Sequence, residues 1–245
     1  MPRAAFRRKG AFAPAFSLIS LLASAAVLSG CWEGTTAESL ATVLSTEGAA
    51  EINSGPGRSF APLQLTDHPG KRSVLRTASG SRVVIAPLPN SVVQLEGNTT
   101  LEIVRLVLTK DGNETGADMR ARYVDLTLTS GRILASHAWG EATARFTVAT
   151  AHGQLTVVSD ALFWVESDAA RTRITCASGS LGFQPNGTST TTRVSSGFVA
   201  ESSGTTLNVT PADADAESQE RVVEALQIEQ PLRDLAARNR NLLPR

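Results

Sequence analysis

Val124-Asp125-Leu126-Thr127-Leu128-Thr129-Ser130-Gly131-Arg132-Ile133 is the stretch that decides the fold. Val124, Leu126 and Leu128 alternate with Asp125, Thr127 and Thr129, which is the period of a strand with one buried face. Phe146 and Val148 alternate with Arg145 and Thr147 in the same way. Around them, from about residue 41 to Pro211, short runs of Val, Ile, Leu, Thr and Phe are separated by Gly, Asn, Asp, Ser and Pro. This is the grammar of strands and turns. Leu101 and Ile103 share one face, whereas Val104, Leu106 and Leu108 share the other. The change of phase points to a bulge or to a strand buried on both sides. Asp111-Gly112 fits a tight turn after that strand. No helix-period segment interrupts the series, so βαβ units with a parallel sheet are excluded. The expected fold is all-β: an antiparallel sandwich, jelly-roll or rolled sheet, with a C-terminal helical tail.

The tail begins after Pro211. Ala212-Asp213-Ala214-Asp215-Ala216-Glu217 places acids where a helix start favours them. Val222, Val223 and Leu226 follow at helical spacing, and Pro231 breaks or kinks the segment. Beyond it, Leu232, Leu235, Ala236 and Leu243 share a face, with Arg233, Arg238, Arg240 and Arg245 around them. Packing on the sheet, or extension into solvent, is the plain reading of this tail. Docking to a partner or to anionic lipid is the functional one.

The N-terminus carries a different signal. Arg3, Arg7, Arg8 and Lys9 precede an apolar stretch from about Ala11 to Leu28, with no acid before Cys31. That order is the order of a secretory signal. It ends in Leu28-Ser29-Gly30-Cys31, where small residues admit a peptidase and Cys31 offers a thiol for a diacylglyceryl group. The tetrapeptide resembles the lipobox of bacterial lipoproteins. Alternatives are a transmembrane anchor, or an ordinary signal with an incidental cysteine. The expected organisation is a signal over 1–30, a tether over 31–40, a β domain over 41–211 and a helical segment over 212–245. Trp32 is placed to sit at the headgroup level. Cleavage before Cys31 leaves about 215 residues, with 19 basic against 23 acidic side chains from the 23 and 23 of the whole chain. That balance argues against a nucleic-acid partner. Cys176 is then the one remaining cysteine, so no disulfide framework exists. Its alternation with Ile174 points to a buried, inert thiol.

Catalytic and metal chemistry find little support. His68, His137 and His152 are far apart in sequence, and His68 and His152 fall at turns or strand junctions. Asp111 and Glu114 read as a polar hairpin loop rather than an acid–base dyad. No glycine-elbow nucleophile, phosphate loop or dinucleotide fingerprint is present, and Cys and His are too few for a zinc site. No enzyme activity, cofactor or metal is expected. Trp139, in an expected loop, packs as a core or flap residue or contacts sugar or protein. Trp164, between Phe163 and Val165, belongs to the core.

The order of motifs across about Ser45 to Val199 resembles the FecR family, named for a periplasmic regulator of ferric-citrate uptake. Val74-Leu75-Arg76-Thr77-Ala78 with Gly80-Ser81-Arg82-Val83-Val84-Ile85 looks like its threonine-then-glycine strand pair. Pro89-Asn90-Ser91 looks like its Asn-Ser turn, and Leu128-Thr129-Ser130-Gly131-Arg132-Ile133 like a characteristic strand start. Phe146-Thr147-Val148-Ala149-Thr150, Gly179-Ser180-Leu181 and Ser196-Gly197 resemble later strands. Two positions depart: Ala151 stands where the family favours proline, and Ser159-Asp160 precedes the aromatic strand in place of Gly-Thr. The resemblance implies a non-enzymatic envelope module, and the lipobox adds the expectation that it is held to a membrane by lipid on Cys31, facing the periplasm or cell exterior. Its partner is expected to be an envelope protein, with polysaccharide or peptidoglycan as the alternative. The family's namesake regulators also carry a cytoplasmic segment that contacts a sigma factor. Cleavage before Cys31 leaves no such segment, so direct anti-sigma action is not expected.

Overall fold

The computed structural model describes residues 35–110, 119–138 and 143–240. Among these residues seventeen strands build two sheets, and one strand belongs to both. Sheet I runs β4 (Ala61–Pro62), β3 (Ala50–Asn53), β5 (Val74–Thr77), β8 (Thr100–Lys110) and the first half of β9 (Met119–His137). It continues through β10 (Thr143–Thr150), β11 (Gly153–Val157), β14 (Ser180–Pro185) and β15 (Thr192–Ser195). β1 (Thr35–Glu38) pairs with the far end of β8, so part of the expected tether is a strand. Sheet II runs β2 (Thr42–Glu47), β6 (Arg82–Ala86), β7 (Ser91–Leu95), the second half of β9 and β12 (Ala161–Ser167). It ends with β13 (Thr172–Ser178), β16 (Phe198–Ser203) and β17 (Thr206–Pro211).

All registered pairs are antiparallel except β9 with β10, which runs parallel over Ala121–Thr127 and Thr143–Ala149. Parallel neighbours need a crossover. Here the crossover includes the second half of β9, which leaves sheet I and pairs with β7 and β12 in sheet II. The change of sheet falls at Gly131. Its φ of +95° is costly for any residue with a side chain, and a Cβ there would lie 2.5 Å from Thr99 Cα and Oγ1. Thr99 grips the bend. Its hydroxyl accepts from Arg132 N–H and donates to Arg132 O, each at 3.0 Å. Thr77 in turn accepts from Thr99 N–H at 2.9 Å and donates to Glu96 O.

The two sheets enclose the main core. Sheet I contributes Leu75, Leu101, Ile103, Leu126, Phe146 and Phe183, and sheet II contributes Ile85, Leu95, Ile133, Phe163 and Ile174 among others. The phase change in β8 is a bulge: Ile103 pairs with Leu126 and Arg105 with Asp125, skipping Val104. Leu101, Ile103 and Leu106 thereby all reach the core, while Val104 faces solvent. The alternation of β9 and β10 reflects a polar outer face on sheet I. There Asp125 accepts from Arg105 Nε at 2.7 Å and from Thr147 Oγ1 at 2.6 Å.

Sheet II is apolar on both faces, because a helix covers the outer one. Helix α1 (Ala216–Arg240) is capped by Asp215, whose carboxylate accepts from Ser218 N–H at 3.1 Å. Val222, Ala225, Ile228, Leu232 and Leu235 meet Leu44, Val84, Val92, Leu134, Leu162, Trp164 and Ala177. Trp164 is fully buried there, and its indole N–H donates to Arg221 O at 3.0 Å. Of the three apolar residues at helical spacing, Val222 packs, whereas Val223 and Leu226 point to solvent, 48% and 49% exposed. The docking stripe lies one residue away, on Val222 and Ala225. Pro231 lies inside α1 without ending it. Pro231 has no amide to donate to Gln227 O, the carbonyl one helical turn back, and Gln227 is exposed.

Gly131→Ala adds backbone strain and a clash with Thr99, and is expected to cost about 2–4 kcal/mol in denaturant unfolding. Trp164→Ala is expected to cost about 3–5 kcal/mol and to release α1, read as lost helical circular dichroism before the sheet melts.

Candidate functional site

Charge alternates across sheet II beside the point where β9 changes sheets. Register sets the order. Glu47 of β2 lies opposite Arg82 of β6. Glu96, just past β7, donates its N–H to Arg132 O of β9. Arg132 lies opposite Glu166 of β12, Glu166 opposite Arg173 of β13, and Arg173 opposite Glu201 of β16. Every step joins opposite signs, the cross-strand arrangement that stabilises a sheet.

The side chains use that order. Arg82 Nε lies 3.3 Å from Glu96, and Arg132 lies 3.9 Å from Glu96 and 3.6 Å from Glu166. Arg221 of α1 reaches Glu166 at 3.5 Å and Glu224 at 2.8 Å. The guanidiniums of Arg132 and Arg221 also lie over the Trp164 ring, at 5.2 and 5.6 Å from its centre. Arg173 binds Asp215 and lies 3.3 Å from Glu217, and Arg171 reaches Glu201 at 3.1 Å. The bonds from Ser218 and Arg173 hold the Asp215 carboxyl below its ordinary range. The Asp168 carboxyl is lowered by the amides of Arg171 and Ala170, which it accepts in a turn.

Beside this row lies an open cleft of about 350 Å³. Its charged lining is Glu96, Arg132, Glu166, Asp168, Arg171 and Arg173, with Gly97 and Gly131 offering main chain. The three guanidiniums balance the three carboxylates. Such a surface presents paired charges and exposed backbone, which suits a polar polypeptide segment better than an apolar ligand or a polyanion.

The nearest arrangement to a nucleophile and base is Ser91 Oγ with His137 Nδ1, 2.7 Å apart. Ser91 is 1% exposed and His137 2%, so no substrate reaches the hydroxyl. Burial lowers the His137 pKa to about 4; Asp160 opposes that shift and Arg122 adds to it. His152 sits elsewhere, with Nε2 3.2 Å from Asp168 O, and His68 is exposed just after the turn at Leu65 and Thr66. The described residues contain no cluster of His, Cys, Asp and Glu fit for a metal. Cys176 is fully buried and its thiol is pushed up to about 11 by burial. Cys31, Trp32, Asp111, Glu114, Trp139 and Leu243 lie outside the described residues. Among the described residues no helix is long and apolar enough to cross a membrane.

Comparison with known proteins gives one family. The model of the family described as FecR protein matches residues 73–182, from the end of the turn before β5 to the middle of β14. No curated protein matches the sequence. Two crystal structures of a candidate anti-sigma factor from Parabacteroides distasonis, at 1.65 and 2.50 Å, resemble the chain at 15% identity and a TM-score of 0.42. The likeness covers 56% of this chain and 59% of those chains, so this chain spans under two thirds of their length.

His137 gives the fold a pH dependence with a definite sign. Its folded pKa of about 4 lies below the unfolded value of 6.5, so the unfolded state binds the proton first. Its contribution to stability is present above pH 6.5 and is lost as pH falls towards 4. The lowered Asp168 and Asp215 carboxyls act in a separate window, below their ordinary range near 3.8. Unfolding free energy measured from pH 7 to 4 is expected to fall in the wild type and to flatten in His137→Gln.

Proposed function

Given a FecR domain at residues 73–182, we propose that this protein is a lipid-anchored envelope module that docks another envelope protein at the charged cleft. FecR proteins are regulatory rather than enzymatic, and the coarse role that follows is a signalling-related one at the envelope. The observation that carries the finer reading is the cleft itself. Its charges alternate, balance and are already oriented by one another, while Gly97 and Gly131 leave main chain open between them. A segment of polypeptide can match both features, with its own charges set against the row and its amides against the backbone.

The anchor in this proposal is Cys31, acylated after cleavage of the segment before it. Fixing the chain at a membrane confines the search for a membrane-bound partner and raises the effective concentration of the pair. Cys31→Ala is expected to block both acylation and processing, read as loss of labelled fatty acid and retention of the longer precursor. Normal processing and acylation of that variant would overturn the anchoring claim.

Docking is tested by placing a photo-crosslinking residue at Asp168 or Arg171 in the native host. The expected result is one dominant crosslinked envelope protein, lost when Arg132→Glu reverses the centre of the row. A crosslink at position 154, on the outer face of sheet I, serves as the reference. Capture of glycan fragments alone would move the assignment to polysaccharide, and equal products from all three positions would overturn the cleft as a docking site.

A further inference from the structure

Among the described residues β17 ends sheet II, and its registered partner is β16 on one side only. Most other strand edges carry a feature that discourages pairing with another chain. β2 has a register shift between Val43 and Ser45 and ends in Glu47. β15 contains Arg193, β1 ends in Glu38, and β4 is two residues long with Pro62 in it. β17 reads Thr206-Leu207-Asn208-Val209-Thr210-Pro211, without a charge and without a register shift against β16. Only Pro211, at its end, limits it.

The hairpin before it determines which groups are free. Ser203 pairs with Thr206 across the two-residue turn Gly204-Thr205, and Gly204 has φ +61°. The pair that closes such a turn exchanges its hydrogen bonds inward. By alternation Asn208 and Thr210 also bond to β16, whereas the N–H and C=O groups of Leu207 and Val209 point away from it. The Leu207 and Val209 side chains are partly buried at the margin of the main core. Thr206, Asn208 and Thr210 face solvent.

The segment Thr-Leu-Asn-Val-Thr reads almost the same in both directions. We propose that β17 is a self-docking edge, where two copies of this chain join by antiparallel pairing about a two-fold axis through Asn208. In that register Leu207 and Val209 of the second copy exchange N–H···O=C bonds, and the axis repeats them. Thr206 stands opposite Thr210, and Asn208 opposite Asn208. Leu207 and Val209 cover each other at the core margin. No like charges meet, and both free donor–acceptor sets are used. Pro211 does not interfere, since it lies outside the paired segment. Sheet II of one copy then runs on into sheet II of the other, an isologous contact. The inference is independent of the cleft, which lies away from this edge among β7, β9, β12 and β13.

The axis gives a direct test. Asn208 and Asn208 form a pair that is not hydrogen-bonded, and such positions bring Cα atoms to about 4.5 Å, within disulfide reach. The full chain carrying Asn208→Cys, oxidised in its native membranes, is expected to give a disulfide-linked dimer. Gln154→Cys, exposed on sheet I, is expected to stay monomeric. Equal yields from the two variants, or none from either, would overturn the proposal. Purified full-length chain is expected to sediment as a dimer. Asn208→Lys and Asn208→Asp should each raise the dissociation constant about tenfold or more by placing like charges opposite. Mixing the two variants should restore the dimer. A wild type that stays monomeric, or a mixture that does not recover, would count against β17.

Discussion

One backbone position lets a single strand serve both layers. β9 leaves sheet I and enters sheet II at Gly131, where a side chain fits neither the left-handed φ nor the space in front of Thr99. Thr99 holds both main-chain groups of Arg132, and Thr77 holds Thr99. This places Arg132 between Glu96 and Glu166, so the geometry of the bend also aligns the charged row and opens the cleft beside it. The parallel pairing of β9 with β10 has the same origin. The crossover that parallel strands require is supplied by sheet II rather than by a helix.

The second constraint is the burial of both faces of sheet II. A sheet with one wet face reads as alternation, and sheet I does so at Val124–Leu128 and Phe146–Val148. Val83-Val84-Ile85 and Leu162-Phe163-Trp164-Val165 do not alternate, because α1 covers the outer side. Trp164 joins the layers. Its ring fills the space under the helix, its N–H holds Arg221 O, and two guanidiniums lie against its faces. Surface ion pairs of this kind contribute little each. Their consequence is alignment, since a slip of any strand would unpair its neighbours on both sides.

Much of this was legible in the residues. Period-two runs point to the strands, the phase change at Val104 points to a bulge or a strand buried on both sides, of which the bulge forms, and the shift of composition after Pro211 points to the helix. The Thr77, Asn90 and Gly131 motifs gave the family resemblance, and the family model matches across the same segments. The helix face is not legible, because Val223 and Leu226 are as apolar as Val222 and only the sheet beneath selects between the stripes. The charged row was not legible at all. Arg82, Glu96, Arg132, Glu166 and Glu201 each end or begin an apolar run, but nothing in one dimension says that they stand side by side with Glu47 and Arg173. Strand order and register create the row, and both depend on the path of β9.

The central claim is that the cleft beside this row receives another protein. Hydrogen–deuterium exchange of the full chain, compared between native envelope and the purified state, tests it at the level of single segments. Docking predicts slower exchange in the envelope for the amides around Gly97, Gly131-Arg132 and Asp168–Arg171, with the outer face of sheet I unchanged. Identical exchange in both settings, or protection confined to other surfaces, would contradict it.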